Sequence, residues 1–224
     1  RQERLLWEAK NRLEAEQKSG LELLQNVFPA PIVDRLLRSE APIADRYESL
    51  IVIFADVVGF TPMARSMPAA RLVERLNALF TDFDSLVRSH QFTKVKTIGD
   101  AYMVVGGLPW EPSDNRISRG AQLAWDLVEC AREEHDLTLR VGLHIGPGVA
   151  GVIGRERFIY DFWGETVNVA SRLESTGSPG QIQLSEDVAQ HLEPRDCVQE
   201  RGVRELKGAG TMRTFWLVAP PIPA

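Results

Sequence analysis

The sequence predicts an α+β fold, and three observations carry that expectation. An apolar run from Leu50 to Ala55 ends abruptly at Asp56, as a buried strand does when it emerges from a core. A helix-period pattern, Leu72, Leu76, Leu79, Phe80 and Phe83, then leads into two short strands joined at Gly99-Asp100. A second helical pattern with Ile117, Ala121, Leu123, Ala124, Leu127 and Val128, and another strand after it, complete the unit. The order β-α-β-β-α-β is the ferredoxin-like arrangement, a sheet with both helices on one face.

Taken in order, residues 1–27 are charged, free of proline, and carry Leu6, Leu13, Gly20 and Val27 at seven-residue intervals. Ala9 and Leu23 fall at the intervening offset, although Glu16 breaks that row. The pattern fits either a coiled-coil-like helix that pairs with a copy of itself or a solvated helix packed on its own domain. Phe28-Pro29-Ala30-Pro31 stops it, and residues 32–37 read as a short second helix. The core is expected as strand 48–56, helix 68–89, strands 93–98 and 101–106, helix 114–132 and strand 138–145. A C-terminal β–α extension follows: strand 149–153, helices 165–175 and 185–191, then strands 198–205 and 212–218. The domain limits are therefore 1–43 for the helix and linker, 44–219 for the main domain, and 220–224 for a proline-rich tail.

With 224 residues, 44% hydrophobic and 25% charged, the chain is long enough for a large core. A net charge of −5 argues against nucleic acid as a partner, since binding phosphate backbones needs a basic surface. The two cysteines, Cys130 and Cys197, are expected as reduced thiols without metal-site spacing. The histidines at 90, 135, 144 and 191 are scattered and read as structural or surface residues. No run approaches the length of a membrane span. The chain begins at Arg1 with neither Met nor a signal peptide, so an upstream sensor or membrane anchor is expected outside it.

The chemistry is concentrated at two strand ends. Asp56 and Asp100 each sit where a strand emerges at a turn containing glycine, a place where packing needs no acid. Hard carboxylate oxygens suit Mg²⁺ or Mn²⁺, which bind one or two carboxylates and then substrate phosphates. A pair of ions set roughly 3.5–4 Å apart can clamp attacking and leaving oxygens. After Asp56, the run Gly59-Phe60-Thr61 offers backbone N–H groups at a turn and helix start, suited to phosphate oxygens. Asn168 and Arg172 are four apart on a predicted helix and share one face, which suits a ribose oxygen and a phosphoryl transition state. One motif misleads. Gly146-Pro147-Gly148-Val149-Ala150-Gly151 spells GxGxxG, but its continuation is β-rich and does not open a helix, so a tight turn between strands is expected there.

From about residue 44 to 218 the chain resembles the catalytic domain of class III nucleotidyl cyclases. The resemblance rests on Phe54-Ala55-Asp56, Gly59-Phe60-Thr61, Gly99-Asp100-Ala101-Tyr102 and the run from Tyr160 to Arg172. It implies that Asp56, Asp100 and the Val57 carbonyl hold two ions per site, and that Asn168 and Arg172 act on the transition state. Arg140 and Lys207 match phosphate-contacting positions, and Ala209 stands where the family usually has a second lysine. Base choice falls to Lys96 and Asp161. A lysine donates to N1 of adenine and an aspartate accepts from its N6 amine, whereas guanine would strand polar groups at about 1–3 kcal/mol each.

The resemblance further implies a head-to-tail homodimer, one chain supplying Asp56, Asp100 and Arg140 and the other Lys96, Asp161, Asn168, Arg172 and Lys207. The leading helix resembles the segment that couples upstream sensors to that dimer. The expected activity is an adenylyl cyclase in the cytoplasm, converting ATP to 3′,5′-cyclic AMP and pyrophosphate, in a longer protein that membranes could anchor. The alternatives are a guanylyl cyclase and a silent nucleotide-binding regulatory domain; a diguanylate-cyclase-like enzyme lacks its Gly-Gly-Asp/Glu-Glu-Phe signature here.

Overall fold

The computed structural model describes residues 2–154 and 156–221, without the side chains of residues 2, 3, 5, 6, 8 and 9. The heptad side chains Leu6 and Ala9 and the tail from Ile222 onward lie outside the described residues. Two compact units are formed, Arg1–Ile43 with Val152–Tyr160, and Ala44–Gly151 with Asp161–Ala224. In the first, helix α1 (Gln2–Gln25) precedes α2 (Ala30–Leu37), which begins directly after Pro29. Leu13, Leu23 and Val27 of the apolar row are exposed.

The second unit is built on a sheet whose strands run β2-β3-β1-β4-β6-β8-β7, with β5 paired to β4 beside that path. These are β1 (Ala44–Val57), β2 (Thr93–Ile98), β3 (Ala101–Gly106), β4 (Leu139–Ile153), β5 (Ile159–Trp163), β6 (Ile182–Ser185), β7 (Val198–Leu206) and β8 (Gly210–Leu217). Its first four strands have the ferredoxin-like order, with β1 antiparallel to both β3 and β4. The helices are α3 (Phe60–Ser66), α4 (Ala69–Ser89), α5 (Arg116–His135), α6 (Glu165–Ser175) and α7 (Glu186–Ala189). Leu79, Phe83 and Val87 of α4 and Leu123, Ala124 and Leu127 of α5 bury against Ile51, Ile53, Tyr102 and Leu143. Such burial contributes roughly 1.5–3 kcal/mol per large side chain. Among the described residues no helix is long and apolar enough to cross a membrane.

Two expectations are corrected. Strands 138–145 and 149–153 are one continuous strand, β4, so no turn falls at Gly146-Pro147-Gly148. The glycines answer to close approach. A Cβ at Gly146 would lie 2.6 Å from Thr166 Oγ1, and one at Gly148 would lie 2.7 Å from Leu50 Cδ1. Strand β1 also begins earlier than expected, because Ala44 to Tyr47 pair with Gly151 to Gly148 on the same long β4. The charges at Asp45 and Arg46 hid the start of the strand. The strands β5 and β6 were not foreseen. β6 has four residues, all buried, too short to show a period.

Candidate functional site

Period two decides which strand residues can meet. On β1, Ile51, Ile53, Ala55 and Val57 join the core beneath α4 and α5, so Asp56 turns to the opposite face. On β4, Leu139, Val141 and Leu143 do the same, leaving Arg140 and Gly142 on that opposite face. Helix α6 covers it so closely that a Cβ at Gly142 would fall 2.2 Å from the Glu174 nitrogen. Asp56 and Arg140 are direct cross-strand partners, and α6 brings Glu174 to them from above.

The outcome is a tight charge cluster. Arg140 donates from Nη2 to Asp56 Oδ2 at 2.8 Å and from Nε to Glu174 Oε1 at 3.0 Å. The hairpin turn at Gly99, with φ of +63°, sets Asp100 beside Asp56, since Asp56 faces Ala101 across the β1–β3 ladder. Burial and then the neighbouring Asp56 charge push the Asp100 carboxyl above its usual range. Glu174 is also pushed up, chiefly by burial, while Arg140 opposes the shift. Burial weakens the Arg140 guanidinium, but Glu174 and then Asp56 outweigh it and hold its proton more firmly. Two carboxylates thus hold one guanidinium, and the third, Asp100, feels its charge. Hard oxygen donors with surplus negative charge suit a small divalent cation.

A second grouping joins Lys96 to Asp161. The lysine ammonium pairs with Asp161 Oδ2, and Asp161 Oδ1 accepts from the Phe162 backbone N–H at 2.8 Å. Asp161 is buried and Lys96 half-buried. Asn168 and Arg172 lie one turn apart on the exposed side of α6, and Lys207 is exposed in the β7–β8 turn. Gly59, with φ of +74°, opens α3; Phe60 packs on the core and Thr61 is exposed.

The domain that carries these groups has counterparts among known proteins. Residues 43–219 match the family described as adenylate and guanylate cyclase catalytic domain. The chain belongs to this family. An adenylate cyclase of Mycobacterium tuberculosis is 44% identical over 218 residues, covering 95% of this chain and 49% of the relative. Guanylate cyclase 32E of Drosophila melanogaster is 38% identical over 225 residues, 96% of this chain and 19% of that protein. The guanylate cyclase domain of RhGC from Catenaria anguillulae, solved with GTP, superposes with a TM-score of 0.74 at 33% identity over 79% of this chain and 99% of its own. The cyclase domain and its flanks thus span about half the length or less of these curated relatives.

Within this cyclase domain, Glu174 is the site residue that reading the sequence missed. A signal was present. Ala170, Leu173 and Glu174 share the buried stripe of α6, and an acid in such a stripe requires a partner.

Proposed function

We propose that this cyclase domain converts ATP to 3′,5′-cyclic AMP and pyrophosphate as a homodimer. The observation that carries the reading is that one chain contains both the Asp56–Asp100–Arg140 cluster and the Lys96–Asp161 pair. Two copies placed head to tail would therefore form two equivalent composite sites, as a two-fold axis requires. Asp56, Asp100 and the Val57 carbonyl would hold Mg²⁺ or Mn²⁺, two per site, which supply charge neutralisation to the triphosphate when bound.

The protein's own groups do the remaining work. Lys96 donates to N1 of adenine and Asp161 accepts from the N6 amine, a pattern guanine cannot satisfy. Asn168 orients the ribose so that its 3′-oxygen attacks the α-phosphorus while the bond to the bridging oxygen of pyrophosphate breaks. Arg172 stabilises charge on the phosphoryl group in flight, and Arg140 and Lys207 receive the departing pyrophosphate. Backbone N–H groups at Gly59, Phe60 and Thr61 add phosphate contacts. The rate gain comes from positioning and electrostatics. The exposed row on α1 supports a coupling role toward regions outside this chain, including a sensor or membrane-anchored part; the catalytic domain itself would work in the cytoplasm.

The test is direct. Purified protein with Mn²⁺ or Mg²⁺ should form cyclic AMP from ATP and little cyclic GMP from GTP. Lys96→Glu combined with Asp161→Cys should reverse that preference. Preferential conversion of GTP would favour the guanylyl reading, and binding without turnover would favour a silent regulatory domain.

A further inference from the structure

Helices α4 and α5 are joined near each end by a histidine–aspartate bridge. His90 Nε2 meets Asp126 Oδ2 at 2.7 Å, and His135 Nε2 meets Asp82 Oδ2 at 2.8 Å. The second bridge has a third member that an ion pair does not need. Cys130 lies five residues before His135 on α5, and its sulfur, the imidazole nitrogen and the Asp82 oxygen all fall within 4.8 Å of one another. We propose that Asp82, Cys130 and His135 form a binding site for a thiolate-accepting divalent cation of the Zn²⁺ class, separate from the Asp56–Asp100 cluster.

Chemistry distinguishes the two places. Asp56 and Asp100 offer oxygen alone, which suits Mg²⁺ or Mn²⁺, whereas a sulfur, a nitrogen and an oxygen together suit a softer ion. In tetrahedral coordination, bond lengths of about 2.0–2.3 Å place the ligand atoms roughly 3.3–3.8 Å apart. The three donors all lie within 4.8 Å of one another, close to that spacing. Three protein ligands leave a fourth position for water.

The surroundings support the geometry. His135 is the last residue of α5, and only 12% of its side chain is exposed, so its ring is already held. The Arg75 guanidinium fixes the helix end by donating to the His135 carbonyl at 2.8 Å. Asp82 is half exposed and open to an arriving ion. Burial, with the charges of Asp82 and Glu134, keeps Cys130 protonated when nothing is bound. A bound cation would displace that proton, so affinity should rise with pH. The same acids that disfavour a free thiolate attract a divalent ion.

Backbone hydrogen bonds also tie the end of α5 to the end of β1. Leu137 N–H closes the α5 terminus onto the Ala131 carbonyl, and the Thr138 carbonyl accepts from Val58 N–H at 2.8 Å.

Cobalt reports on this directly, because a thiolate ligand adds a sulfur-to-metal charge-transfer band that oxygen ligands cannot produce. The reduced 224-residue chain would be titrated with Co²⁺ in excess Mg²⁺, then with Zn²⁺ as competitor. A band that saturates at one ion per chain, disappears in Cys130→Ser and is bleached by Zn²⁺ is the expected result. His135→Gln and Asp82→Asn should each weaken Zn²⁺ binding by roughly tenfold or more. Cys197→Ser, at a fully buried thiol, and Asp56→Asn should leave the band in place. Absence of the band, or its persistence in a Cys130→Ser protein with unchanged circular dichroism, would overturn the site. So would equal Zn²⁺ affinity in the wild type and His135→Gln.

Discussion

Arg140 has two carboxylate partners, and they differ in what else they are needed for. Asp56 is the proposed cation ligand, whereas Glu174, on the buried side of α6, pairs with the guanidinium. When Asp56 turns to cations, Glu174 is left to aim Arg140. Glu174→Gln keeps the shape but removes the charge, and a hydrogen bond to a charged group contributes about 1.5–3 kcal/mol. Turnover should therefore fall roughly ten- to a hundredfold, with a smaller change in KM for ATP. Thermal stability should hold or rise, because burial already disfavours the ionised carboxylate. Unchanged kcat in steady-state assays would refute this role.

At the scale of elements, the spacing between α6 and β4 is set by Gly142. A Cβ there would sit 2.2 Å from one backbone nitrogen and 2.4 Å from the Ala170 carbonyl oxygen, and neither can swing aside. Gly142→Ala should lower stability by about 1–3 kcal/mol in denaturant melts and reduce activity, since Asn168 and Arg172 ride on the displaced helix. Gly20→Ala, where a Cβ meets nothing within 4 Å inside α1, should be neutral or stabilising. His144 on β4 gives a pH signature. Burial lowers its pKa below 6.5, against the opposing charges of Asp187 and Glu165, and its Nδ1 lies 2.8 Å from Ser185 Oγ. The unfolded chain then binds a proton that the folded one refuses, so stability should fall as pH drops below 6.5. Thermal melts of His144→Gln between about pH 5 and 7 should show that slope flattened.

For the whole molecule, the decisive property is that the proposed site needs two chains. Asp56→Ala and Arg172→Ala should each abolish cyclic AMP formation alone. Mixed and allowed to exchange subunits, they should recover part of it, because the heterodimer retains one intact composite site. Proven exchange without recovery would exclude sharing.

Much of this was legible in the chain. The apolar run ending at Asp56, the Gly99-Asp100 hairpin and the two amphipathic helices declare themselves because their periods come from local backbone geometry. The unbroken course of β4 was not legible, since Gly146-Pro147-Gly148 has turn composition and only the nearness of Thr166 and Leu50 explains it. Glu174 and the Asp82–Cys130–His135 group escaped for a related reason: Arg140 and Asp82, the partners that complete them, lie far off in sequence.

The sequence by itself determined the order of the βαββαβ core, the family resemblance and which residue types stand at strand ends, because each depends on neighbours along the chain. Only the tertiary structure decided that Arg140 lies between Asp56 and Glu174, that Lys96 reaches Asp161, and that a thiol joins a histidine–aspartate bridge. Those contacts depend on strand register and on the face each helix turns inward, and both are fixed when the core closes.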